Sequence, residues 1–282
     1  MKNMTQLPQK GDSLRILMIG DVVGRAGRDV LTRRLPEIKR NALVDFVVVN
    51  AENATGGSGL SSDSYNVLRR AGVDCVTLGD HALRQKSIFS ILNSADTRVI
   101  RPANLPPEAP GKGYVILETE STFERPAVKI AVISLLGRVF MTNQLADNPL
   151  IAADKIVERL HDVKVRILDF HAEATSETQI MGRYLDGRVS AVLGTHTHVQ
   201  TADEKILPGG SAFLCDVGMT GSFDSIIGRK IDCVVDSFRT GCPRIFEVAE
   251  KNLGINGVFV DVDPATGKAC AVSRLNFMED EQ

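Results

Sequence analysis

An α/β fold with extensive parallel strand pairing is the architecture this sequence predicts. Two observations carry that expectation. From Leu14 onward, β-branched apolar runs alternate with amphipathic helical stretches, the pattern of helices laid over a largely parallel sheet. No linker-like segment, repeat or low-complexity tract divides the 282 residues, so one domain is expected over 14–282, preceded by a flexible polar segment, 1–13.

The elements follow in order. "LRILMIGD" (14–21) reads as a buried strand and "GRDVLTRRLPEIKRN" (27–41) as a helix on its surface. Further strands are expected at 45–53, 74–81, 97–104, 128–137, 165–173 and 189–198, each a short run rich in Val, Ile or Leu. Helical spacing of apolar residues fits 61–71, 84–94, 148–161 and 176–186. The C-terminal stretch 257–277 differs. Two apolar runs flank an Asp-Pro-Ala-Thr-Gly turn, which predicts an antiparallel hairpin. "NLPPEAPGKG" (104–113) is a Pro/Gly-rich loop too short to separate domains.

Composition narrows the function classes. At 43% hydrophobic and 24% charged residues the chain is an ordinary globular sequence. No run approaches the ~20 apolar residues of a membrane span, and "MKNMTQLPQKGDS" lacks the apolar stretch of a secretory signal. Five scattered cysteines without a CxxC pair suit free thiols in a reducing cytoplasm. A formal net charge of −2 offers no broad basic field for a long nucleic acid. Positive charge for a phosphate substrate would have to be supplied locally, as by a metal.

Ligand-type side chains gather where strands are expected to end. The first strand closes on Asp21, the second on Glu52-Asn53 and the third on Asp80-His81. Later strands close on His171 and on the pair His196 and His198. In open α/β sheets, functional groups collect beyond the carboxyl ends of strands. Each residue also has a plainer role: a helix cap for Asp21, a turn for Glu52-Asn53, a satisfied histidine at 171. Four of the five histidines at strand ends make coincidence at every site the weaker account. Carboxylate, amide and imidazole donors suit Mn, Fe, Zn or Co better than calcium. They exceed what one tetrahedral ion needs, and two ions sharing a carboxylate would use them all. "GDVVGRAG" (20–27) fits neither dinucleotide nor P-loop spacing, and Ser134, Ser176 and Ser211 lack a nucleophile elbow. His161 reads as a surface residue.

The blocks "GDVVGRAGR", "NAENATGG", "GDHA", "RPAN", "DFHAEATSE", "GTHTHVQTAD" and "DVGMTGSFDSIIG" resemble, in order, the YmdB-type branch of the calcineurin-like metallophosphoesterases. The resemblance implies a four-layer α/β/β/α sandwich of two stacked mixed sheets with a dinuclear site at the strand ends. It implies that Asp21, Glu52, Asn53 and His198 hold one ion, and that Glu52 bridges to a second held by Asp80, His171 and His196. His81 matches the family's catalytic histidine, a proton donor. Two transition-metal ions per chain follow, Fe or Mn ahead of Zn or Co. The implied activity is hydrolysis of small nucleotide phosphodiesters, notably 2′,3′-cyclic nucleotides, by water activated between the ions. Phosphomonoesterase or phosphoprotein phosphatase activity, or metal-binding regulation with reduced catalysis, are the alternatives. The branch lacks the superfamily's Asp-x-His, as this chain does at Asp21-Val22-Val23. One departure is this chain's own: the family's Gly-Asn-His is Gly79-Asp80-His81.

Arg101 and Asn104 are candidates for gripping phosphate or ribose, and Asp169 and Glu173 for orienting His171. A small nucleotide or phosphodiester substrate, a cytoplasmic setting and a homo-oligomer are the remaining expectations; no membrane or long nucleic acid partner is expected.

Overall fold

The apolar runs pair into two mixed sheets. The computed structural model describes residues 10–121, 126–141 and 145–279, so most of the segment 1–13 lies outside the described residues. The first half contains β1 (Leu14–Ile19), β2 (Asp21–Val22), α1 (Gly24–Ala42), β3 (Phe46–Asn50), α2 (Ser62–Arg70), β4 (Cys75–Thr77), α3 (Phe89–Leu92) and β5 (Val99–Ile100). Then come β6 (Tyr114–Glu118), β7 (Lys129–Leu136), α4 (Pro149–Arg159), β8 (Val165–His171), α5 (Thr175–Leu185) and β9 (Ala191–Thr195). The last part holds β10 (Lys205–Ile206), β11 (Ala212–Leu214), β12 (Met219–Ser222), α6 (Ile231–Thr240), β13 (Leu253–Val262) and β14 (Ala269–Met278).

The first sheet has the order β2-β12-β13-β1-β3-β4-β5, with β14 added to β13. β1, β3, β4 and β5 are parallel, whereas β13 runs antiparallel to β1, β12 and β14. The second sheet is β10-β11-β9-β8-β7-β6. Its four central strands are parallel, and only its edges, β6 and β10, are antiparallel.

Alternation along the strands divides the core into layers, because successive side chains point to opposite faces. Ile16 and Met18 of β1 share a cluster with Val132, Ile167 and Leu193 of the other sheet. Their neighbours Leu17 and Ile19 pack instead with Val30, Leu31 and Leu35 of α1 and Leu68 of α2. In the second sheet, Leu168 and Phe170 face Ile156 of α4 and Met181 and Leu185 of α5. Burial on both faces is why β3 reads as a nearly continuous apolar run, and β1 as one broken only by Arg15, rather than as alternating strands.

The sequence expectations meet the structure unevenly. The hairpin over 257–277 exists as β13 and β14, with a register shift at Asp261/Val262. The strand expected over 97–104 stops at Ile100, because Pro102 cannot donate to a ladder and the chain turns away. The helix expected over 84–94 is a short 3-10 turn followed by the single turn of α3. β6 and β10 to β12 were not legible: β6 is only part-buried, and the other three span two to four residues. α6 has no buried residue. Arg15, 3% exposed, is neutralised by a fork of two 2.7 Å hydrogen bonds donated to Asp261. All five cysteines are free. Among the described residues, no helix is long and apolar enough to cross a membrane.

Candidate metal centre

Both sheets deliver polar residues to one edge. Asp21 lies in β2, Glu52-Asn53 just after β3, and Asp80-His81 just after β4. From the second sheet come His171, the last residue of β8, and His196 and His198, just after β9. The structure therefore brings together all eight residues singled out at strand ends. Asp21 is not a helix cap: α1 is preceded by Val23, without a side-chain cap.

Glu52, Asp80, His171 and His196 place ligand atoms within 4.8 Å of one another. His171 Nε2 lies 3.2 Å from Glu52 Oε2, 3.2 Å from Asp80 Oδ1 and 3.0 Å from His196 Nδ1. Beside this group, His198 Nε2 lies 3.7 Å from Asp21 Oδ1 and accepts from Asn53 Nδ2 at 3.1 Å. Asn53 Nδ2 also donates to Glu52 Oε1 at 3.0 Å. Glu52 thus stands between the two groups. His81 is the more exposed member, its Nδ1 2.9 Å from Asn53 Oδ1 and 3.3 Å from Glu52 Oε1.

Several buried carboxylates facing each other in low dielectric are costly unless a cation joins them. Burial raises the Asp21 carboxyl to about 7, with His171 opposing and Glu52 adding to the rise. Burial also acts on His171, but the charges of Glu52 and its bonds to Asp80 and Glu52 win, raising it well above the usual imidazole range. His171 and His81 in turn hold Glu52 well below the usual carboxylate range despite its burial. Asp21 Oδ1 is buried with no hydrogen-bond partner. An orphaned carboxylate oxygen beside imidazole nitrogens is what a metal ligand looks like before the ion arrives.

Outer contacts orient the imidazoles. His171 Nδ1 lies 2.9 Å from Thr195 Oγ1, which donates to Asp169 Oδ1 at 2.7 Å. Asp169, wholly buried, also accepts from Asn50 and Thr77. Asp169 therefore acts on His171 through Thr195, turning Nε2 inward. Glu173 is corrected: its Oε2 meets His196 Nε2 at 3.1 Å and does not orient His171. His198 Nδ1 faces the Ile227 carbonyl at 3.0 Å, again leaving Nε2 inward. Gly79 is required here, since a Cβ would run into the His171 ring and Glu52 Oε2.

One residue that sequence reasoning passed over holds the His-Thr-His loop. His196 and His198 have φ of 112° and 63°, conformations that side chains other than glycine adopt at a cost. Thr197 between them donates its N–H and its hydroxyl to Asp216 Oδ2, both at 2.9 Å. Asp216 Oδ1 accepts from Gly218 N at 2.7 Å. Burial, with Asp21 adding, raises this carboxyl to about 7. The signal was present as one more Asp closing an apolar run, but β11 was too short to read as a strand. Asp216→Asn sets an amide donor against one of these N–H groups. Metal affinity should fall about 10–100-fold with the fold retained; metal titration giving wild-type affinity would remove Asp216 from this role.

Among the described residues, Arg101 and Asn104 make no hydrogen bond to this cluster. Asn104 Nδ2 donates to the Leu136 and Asp147 carbonyls at 2.8 and 2.9 Å, and its Oδ1 accepts from Leu136 N at 2.8 Å. Its amide is spent on backbone, so the substrate-gripping role expected for it gives way to a structural one. Arg101 bonds to the Pro102 and Ala109 carbonyls. His161 is on the surface, beside Asp162, as expected.

Residues 17–275 match the protein family described as YmdB-like. A 2′,3′-cyclic-nucleotide 2′-phosphodiesterase of Bacillus subtilis (strain 168) is 41% identical over 268 residues, covering 95% of this chain and 98% of the relative. A solved structure of a hypothetical protein from Thermus thermophilus matches with TM-score 0.86 and 38% identity, over 95% of this chain and 100% of that one. Another, of a phosphatase from Mycoplasma pneumoniae, matches with TM-score 0.87 and 34% identity, over 95% of each chain.

Proposed function

The chain belongs to the YmdB-like protein family, and from that premise we propose that it is a metal-dependent phosphodiesterase of small nucleotides, with 2′,3′-cyclic nucleotides as substrates. The observation that carries the reading is the convergence of Asp21, Glu52, Asn53, Asp80, His171, His196 and His198 on one largely buried spot. Two ions fit this donor set, Fe or Mn before Zn or Co: Asp21, Glu52, Asn53 and His198 would hold one, and Glu52, Asp80, His171 and His196 the other. When bound, such a pair neutralises phosphoryl oxygens and lowers the pKa of water.

The chain's own residues do the rest. Glu52 keeps the two groups of ligands in register, and Asp169, Glu173 and Asp216 hold the imidazoles. His81 donates a proton to the departing alkoxide. With Nδ1 committed to Asn53 Oδ1, Nε2 is the atom free to carry that proton. The hydrogen bond to Glu52 raises its pKa against burial, which favours the protonated form an acid requires. The reading extends to a single domain over 14–282, built as a four-layer α/β/β/α sandwich and working in the cytoplasm; helix-facing cores on both sheets and five free thiols support it.

The test is a panel of aryl phosphate monoester, aryl diester, 2′,3′-cyclic and 3′,5′-cyclic nucleotides, assayed with Mn or Fe. Highest kcat/KM on the 2′,3′-cyclic compounds is expected. A preference for monoesters would make the chain a phosphatase, and no turnover with metal bound would make it a metal-binding regulator.

Asp80 stands where the family resemblance implies Asn. A carboxylate in place of an amide makes the site one unit more negative, so cations are held more tightly and anionic phosphate is repelled more. Asp80→Asn should keep the fold, weaken metal retention modestly and lower KM for a phosphodiester. Measuring metal affinity and KM together checks this; a higher KM with both ions retained would mean that Asp80 does not face the substrate as a ligand.

A further inference from the structure

A second cavity opens between α4 and the loop that follows β5. Its volume is about 650 Å³, and its walls include Arg101, Tyr114, Ile151, Lys155 and Arg159. None of its lining residues is a candidate metal ligand or hydrogen-bonds to one. The size is that of a small-molecule site rather than a packing defect.

The charge around it is uncompensated. Arg101 is only 5% exposed, yet it meets no carboxylate among the described residues. Its Nη1 donates to the Pro102 carbonyl at 2.7 Å and Nη2 to the Ala109 carbonyl at a long 3.4 Å, while Nε is buried with no partner. Two other arginines show the contrast. Arg15 is forked onto Asp261, and Arg166 occupies Nε and both terminal nitrogens with carbonyls. Burial alone acts on the Arg101 pKa, lowering it, and no neighbouring acid restores it. Such a guanidinium gives the cavity wall a positive charge that no neighbouring acid among the described residues cancels.

Two further cations share the cavity. Lys155 and Arg159 are four residues apart on α4, hence on one helix face, and both lack an ion pair among the described residues. Asp147 is the sole carboxylate in the wall. Three cations against one exposed acid favour a dianion over a monoanion. A phosphomonoester carries about −1.5 to −2 charges near neutrality, whereas a diester carries about one. Leu105, Pro107 and Ile151, with the half-buried ring of Tyr114, add an apolar wall that bare phosphate would leave unused.

From these features we infer that the cavity is a second ligand site, distinct from the metal centre, that takes a phosphomonoester of mononucleotide size. The phosphate sits against Arg101, Lys155 and Arg159, and the body of the ligand lies along Tyr114 and Ile151.

Adenosine 5′-monophosphate is a suitable probe, titrated calorimetrically into the metal-free full-length chain so that the metal centre contributes little. Adenosine and inorganic phosphate serve as controls. The comparison protein is Lys155→Glu/Arg159→Glu, two exposed positions on α4 whose reversal leaves the core untouched. Saturable binding of the monophosphate, weakened at least ~10-fold in the variant and by added salt, is the expected result, with adenosine silent and the variant's melting temperature and phosphodiesterase activity unchanged. Affinity unaltered in the folded variant, or no saturable binding to the parent chain up to about 5 mM, would overturn the site. Inorganic phosphate binding as tightly as the nucleotide would overturn the assignment of a ligand with a body.

Discussion

His81→Ala is expected to lower kcat about 10²–10⁴-fold, the usual contribution of a positioned acid, while leaving metal content close to that of the parent chain. The geometry separates the two properties. His81 contacts Asn53 Oδ1 and Glu52 Oε1 through Nδ1, and its Nε2 lies 3.6 Å from Asp80 Oδ2. It stays outside the cluster whose ligand atoms crowd within 4.8 Å. Its side chain is 26% exposed, against 0% for His171, so it can meet a substrate arriving from solvent. A leaving-group series sharpens the test. A cyclic nucleotide releases a poor alkoxide that needs the proton, whereas an aryl diester releases a stable phenolate that does not. The loss should therefore be far smaller on the aryl diester. Equal losses on both, or metal stripped from the variant as fully as from His196→Ala, would reassign His81 from acid to ligand.

Glu52→Gln is expected to reduce bound metal from the two ions per chain proposed above to at most one, and kcat/KM by more than about 10²-fold. Loss of an outer-sphere partner alone costs about 10–100-fold in metal affinity or activity, and Glu52 is placed to be a ligand itself. Its Oε1 accepts from Asn53 at 3.0 Å in one half of the site, and its Oε2 lies 3.2 Å from His171 in the other. Asp21 Oδ2 also reaches across, accepting from His196 N at 3.2 Å, but that donor is backbone rather than a ligand atom. Gln keeps the volume of this 1% exposed residue and removes only the charge, so the variant should remain folded. Elemental analysis at saturating Mn or Fe, alongside circular dichroism, gives the readout. Two tightly held ions in folded Glu52→Gln would refute the bridging role, and with it the claim that one carboxylate organises both sites.

Much of this protein is determined by short-range chemistry and so could be read along the chain. β1 and β3 are largely apolar on both faces, and that marks them as interior strands of an α/β sheet. The placement of Asp21, Glu52, Asp80, His171, His196 and His198 at the ends of such runs follows from residue order, because a strand's direction decides which end meets a ligand. The turn between β13 and β14 announces itself through Pro264 and Gly267.

Other features exist only once distant segments meet. β12 has four residues and is stabilised by β2 and β13, two strands far apart in sequence, so no local pattern could specify it. Glu173 sits beside His171 along the chain, yet folding turns it to His196 and leaves Asp169 to act through Thr195. β8 ends at His171, so the alternation that would put residues two apart on one face no longer governs Glu173. Asp216 and Arg101 make the same point from opposite directions. Asp216 gains its role from Thr197, reached across the β9–β11 pairing. Arg101 meets no carboxylate among the described residues, and that too is a property of three-dimensional packing that residue order does not encode.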